Sequence, residues 1–91
     1  VPVPPPELTA ELTVETVSGG ERSPREQLAT VWETAEASGL ASESGPESRI
    51  LSGREEEVLA ALDATLRAAL EAGARGVDVR VERPSEVRER T

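Results

Sequence analysis

Glu11, Thr13 and Glu15 stand two residues apart, the spacing that sets side chains on one side of an extended strand. A row of carboxylate, hydroxyl and carboxylate attracts a cation and hydrogen-bonds a polar ligand. It serves equally as a solvated outer face balanced by Arg80. Paired carboxylates also divide acid and base duties where their surroundings push their protonation apart, but nothing in this sequence encloses these two in an apolar pocket. Glu55, Glu56 and Glu57 offer oxygens of the kind a hard cation needs. Successive helical residues diverge by about 100°, so these three point apart and mark the first turn of a helix. The glycine loops Ser18-Gly19-Gly20 and Gly73-Ala74-Arg75-Gly76 match no phosphate-binding fingerprint and read as the ends of elements.

What the chain lacks narrows its chemistry further. It has no histidine and no cysteine, which removes the usual neutral-pH general base, thiolate nucleophiles, disulfides and the common transition-metal ligands. Catalysis is therefore not expected, nor is a metal or cofactor. Lys, Asn, Phe, Tyr and Met are also missing, a pattern that fits a GC-rich genome or a simplified, engineered sequence. The formal charge of −8 argues against nucleic acid, whose phosphates need a basic face. It suits a cationic ligand or plain solubility. No apolar run approaches the roughly 20 residues of a membrane helix and no signal-peptide pattern opens the chain, so a soluble, cytoplasmic protein is expected.

The elements that must position the candidate row follow from periodicity. Residues 1–6 are rich in proline and predict an extended, disordered tail, since proline donates no backbone hydrogen bond. The polar residues 84–91 predict a flexible C-terminal tail. Residues 7–83 form the single domain. Leu8, Ala10, Leu12 and Val14 alternate with polar residues as a half-buried strand. Ser23-Pro24-Arg25-Glu26 combines an N-cap serine, Pro at N1 and a capping-box Glu. Leu28, Val31, Trp32 and Ala35 then share one helical face, and Gly39 ends that helix. Leu40–Ser44 and Ser48–Ser52 predict a hairpin around Gly45-Pro46. Ser52-Gly53-Arg54-Glu55 is a second possible capping box. Val58, Leu59, Leu62, Leu66, Ala69 and Leu70 make the apolar stripe of a second helix, and Val77, Val79 and Val81 alternate in a last strand that Pro84 ends. The expected core is Leu12, Val14, Leu28, Val31, Trp32, Leu59, Leu62, Leu66, Leu70, Val77, Val79 and Val81.

The β-α-β-β-α-β order with right-handed crossovers predicts an α+β, ferredoxin-like sandwich, a four-stranded antiparallel sheet with two helices on one face. The other face of that sheet would carry Thr9, Glu11, Thr13 and Glu15 beside Asp78, Arg80 and Glu82.

Three stretches, ELTAELTVET from Glu7, ASESGPESRILSG from Ala41 and REEEVLAALDATLRAALEAGARGVDVRVE from Arg54, resemble the thiamine-binding protein family of ferredoxin-like fold, the YkoF-like group. The resemblance implies a small intracellular protein that binds thiamine or its pyrimidine moiety without turning it over, commonly as an oligomer. By position it implies ligand contacts from Glu11, Thr13, Glu15, Glu43, Ser48 and Arg49. This chain departs from the family pattern after Gly45-Pro46, where Glu47, Ser48 and Arg49 replace an aromatic residue and a small-residue–Thr pair. Two functions are thus expected: a binding module for thiamine or a related cationic heterocycle, or an oligomerising interaction module with no small-molecule ligand. Neither expects contact with a membrane or with nucleic acid.

Overall fold

The alternating run from Leu8 does form a strand. In the computed structural model, which describes residues 6–84, β1 spans Leu8–Glu15 and buries Leu8, Ala10, Leu12 and Val14 on one side. The tails expected at either end of the chain fall, apart from Pro6 and Pro84, outside the described residues. Helix α1 covers Pro24–Ala37 and opens with the capping box expected from its sequence. Ser23 Oγ accepts from the Glu26 backbone N–H at 3.2 Å, and Glu26 Oε1 accepts from the Ser23 N–H at 3.0 Å. Strands β2 (Ala41–Gly45) and β3 (Ser48–Gly53) form the hairpin; α2 (Glu55–Glu71) and β4 (Gly76–Glu82) complete the chain.

The strands are ordered β2-β3-β1-β4, and every neighbouring pair is antiparallel. This is the ferredoxin-like α+β arrangement. Helix α1 packs over β2 and β3, and α2 over β1, β3 and β4. The core lies between these layers and is aliphatic around Leu12, Val14, Val31, Leu51 and Val58, with Trp32 6% exposed.

Three local devices hold the elements in place. On the buried side of α1, the Gln27 amide accepts from the Val17 N–H and donates to the Val17 and Arg22 carbonyls at 2.8 and 2.9 Å. One buried side chain so replaces a strand partner for the loop that leads into α1. At the C-terminus of α2, Gly73 adopts φ +94°. Its N–H bonds to the Leu70 carbonyl and that of Ala74 to the Ala69 carbonyl, the Schellman arrangement that favours glycine. At the N-terminus of α2 the expected local capping box is absent, and Arg54 makes no side-chain cap. Glu7, distant in sequence, accepts from the Glu55 N–H at 2.9 Å, and Glu55 in turn accepts from Arg83 Nη1 at 2.7 Å. The start of the first strand and the end of the last are thereby both tied to the same helix end.

Four residues expected in the core are not there: Leu59, Leu70, Val79 and Val81 are 46%, 65%, 39% and 45% exposed. The reason is geometric. Two helices must cover four strands, and among the described residues no third helix covers the β4 side. Small buried residues, Ala61, Thr65, Ala69 and Ala72, let α2 pack closely, and Leu59 and Leu70 on its adjoining flank stay exposed.

Leu12 is fully buried on the central strand. Leu12→Ala is expected to lose about 2–5 kcal/mol of stability through lost transfer energy and a residual cavity, read as a lower urea midpoint at unchanged slope. Ser23→Ala should lose about 1 kcal/mol by removing the α1 cap.

Candidate functional site

The register of β1 decides what the candidate row faces. Thr13 stands opposite Ser48 on β3 and Asp78 on β4; Glu11 stands opposite Ile50 and Arg80; Glu15 stands opposite Gly76. Directly opposed residues share a sheet face, so Glu11, Thr13, Glu15 and Ser48 lie together on the side away from the helices. Thr13 Oγ1 and Ser48 Oγ are hydrogen-bonded at 2.9 Å, which makes a hydroxyl pair at the middle of that face. Arg80 lies directly across from Glu11, but its Nε donates to Glu82 at 2.7 Å. The carboxylates of Glu11 and Glu15 flank the hydroxyls along the strand, and Ile50 is the apolar neighbour.

The other two candidates are on the opposite face. Arg49 pairs with Leu12 on β1 and with Glu43 on β2, so both turn to the helix side of the sheet. The expectation that all six residues share one site is therefore corrected. A hairpin brings Ser48 and Arg49 close in sequence, but strand alternation sends them to opposite faces. Arg49 lies over the Trp32 ring at 4.5 Å from its centroid and donates through Nη1 to the Gly45 and Ser48 carbonyls. The one aromatic face in the chain, the natural seat for a cationic ring, is thus taken by the protein's own guanidinium. Trp32 Nε1 and Arg49 Nε are both buried without a hydrogen-bond partner.

None of the six candidates lines either of two hollows among the described residues. One hollow of about 250 Å³ lies between the Val17–Arg22 loop and the end of α2, against Gln27, Glu71 and Gly73. A second, of about 390 Å³, opens between Glu7 and the Arg54–Glu57 start of α2. The outer sheet face itself is an open polar platform. Among the described residues no three carboxylates converge as a metal ion requires, and no helix is long and apolar enough to cross a membrane.

These features define a ferredoxin-like α+β domain with an open polar sheet face. No protein-family profile matches the chain, and no curated protein does. Among solved structures it is similar to a domain of unknown function, DUF77, from Bacillus cereus, with 19% identity over 89% of this chain and 81% of that one and a TM-score of 0.64. At that identity the likeness shows the fold alone.

The stacked pair gives a spectroscopic test. Arg49→Ala is expected to uncover one face of Trp32, shifting its fluorescence to the red and raising its quenching by acrylamide. The accompanying loss of stability should be about 1 kcal/mol, within the range of cation–aromatic pairs. An unchanged emission spectrum would place the guanidinium elsewhere in solution.

Proposed function

We propose that the chain is a non-catalytic binding domain that takes a small cationic, hydrogen-bonding heterocycle, thiamine or its pyrimidine moiety, on its outer sheet face. The observation that carries this is the Thr13–Ser48 hydroxyl pair at 2.9 Å, set on the same face as the carboxylates of Glu11 and Glu15. The hydroxyls would serve the ring nitrogens and amino group of an aminopyrimidine, and the carboxylates would attract a thiazolium charge. The resemblance in sequence supports the same ligand class. Glu43 and Arg49 have no direct part in this site, since they lie on the other side of the sheet. A second reading, self-association without a ligand, is favoured by the exposed valines of β4 and leucines of α2.

Affinity follows from what the platform lacks. Tight small-molecule sites enclose most of the ligand in an apolar wall with a few placed polar groups. Here Trp32 is occupied by Arg49, and exposed ion pairs contribute only about 0–1 kcal/mol each and are screened by salt. Calorimetric titration with thiamine should therefore give a dissociation constant no tighter than about 10 µM, near −7 kcal/mol, and weaker still in 0.5 M salt by roughly the loss of one such ion pair. Thr13→Val and Glu11→Gln should each weaken binding further. Submicromolar, salt-insensitive affinity would require an enclosed pocket in place of this platform, and no heat at millimolar thiamine would remove the ligand altogether.

A further inference from the structure

Among the described residues β4 has a neighbour on one side only, β1. The direction of its free backbone groups follows from the ladder. The Val14 N–H donates toward β3, to the Glu47 carbonyl at 2.9 Å, whereas the Glu15 carbonyl accepts from Arg75 on the β4 side. Backbone groups alternate in direction along a strand, so odd-numbered residues of β1 bond toward β4. Their partners there are Gly76, Asp78, Arg80 and Glu82. Val77, Val79 and Val81 consequently aim their N–H and C=O groups at the open edge. An edge of this kind is a template for another strand.

The sequence of β4, GVDVRVE, is complementary to itself. When it pairs antiparallel with a copy of itself about a two-fold axis at Val79, Val79 meets Val79 and Val77 meets Val81, all through the outward-aimed backbone groups. On the other sheet face Asp78 meets Arg80 twice, an opposite-charge pair of the kind that stabilises neighbouring strands. Shifting the axis to Asp78 or to Arg80 sets like charges against each other, and an axis at Val81 would draw Pro84 into the pairing. Only the Val79 register uses the whole strand. Arg80 keeps free donors for this contact, because its bond to Glu82 engages Nε alone and a guanidinium carries five N–H groups.

The apolar surface agrees. The exposed valines of β4 and the exposed Leu59 and Leu70 of α2 lie on the helix side of the sheet. With strands about 4.8 Å apart, α2, seated over β1, β3 and β4, would stand on the order of 14 Å from its copy, with the exposed valines of both β4 strands between the two helices.

We infer that two copies of this chain associate through β4, in an antiparallel register centred on Val79, to make one continuous eight-stranded sheet with all four helices on one side. The partner is a second copy, and the pairing names the surface for the self-association reading without depending on thiamine. The experiment is sedimentation equilibrium of the full chain, accompanied by circular dichroism. The parent should show twice the mass of one chain at micromolar concentration. Asp78→Arg and Arg80→Asp should each dissociate at least about tenfold more readily, because each sets like charges together twice. An equimolar mixture of the two variants restores both attractive pairs and should recover the dimer. Val79→Pro, which removes an edge donor without breaking the β1 ladder, should give a folded monomer. A dimer that survives all three variants would overturn this register while leaving self-association standing, and a parent that stays monomeric would overturn both. Failure to titrate thiamine would bear on neither.

Discussion

The central strand carries the domain. β1 is an inner strand, bonded to β3 on one side and to β4 on the other, and its inward residues are all buried while its outward residues are polar. Strand alternation makes these two facts inseparable, since a slip of one residue would send Leu8, Ala10, Leu12 and Val14 into water and carboxylates into the core. The register that protects the core therefore also sets Glu11, Thr13 and Glu15 on the open face, and it brings Ser48 opposite Thr13. The candidate site is a by-product of hydrophobic burial on the other side of the same strand.

Coverage is the second constraint. A domain this short buries a modest core, and its two helices protect the centre of the sheet better than its β4 edge. The apolar residues left over, Val79 and Val81 on β4 and Leu59 and Leu70 on α2, belong to the helix side of the sheet, although they are separated in sequence. Exposed apolar surface gathered in one place marks interaction more often than scattered surface leucines do. The same shortage explains the remote cap on α2: Glu7 and Arg83, at opposite ends of the described chain, meet at Glu55 because the helix start lies beside the ends of β1 and β4.

Arg49 shows how a chain with one aromatic residue uses it. Its guanidinium is planar and weakly hydrated, so it stacks on Trp32 at modest desolvation cost. Its Nη1 bonds to the hairpin carbonyls add direction. The arrangement stiffens the β2–β3 turn against α1 and withdraws the only ring from ligand binding. What remains for a ligand is hydroxyls and carboxylates on an open sheet.

Much of the architecture was legible from residue order alone. Period-2 alternation located β1 and β4, and the Ser23–Glu26 box and the glycines at 39 and 73 located the helix ends, because these signals act over a few neighbouring residues. The α+β order then followed from the rules of chain crossing. Of the candidate site, the β1 row was legible for the same reason, whereas its hydroxyl partner was legible only as a member of the hairpin. That Ser48 joins Thr13 while Arg49 and Glu43 turn away, that Glu7 rather than Ser52 caps α2, and that Gln27 holds the loop before α1 depend on pairings between residues distant in sequence. So does the exposure of the β4 valines: alternation marks one side of a strand as apolar, but only the placement of the helices determines whether anything covers it.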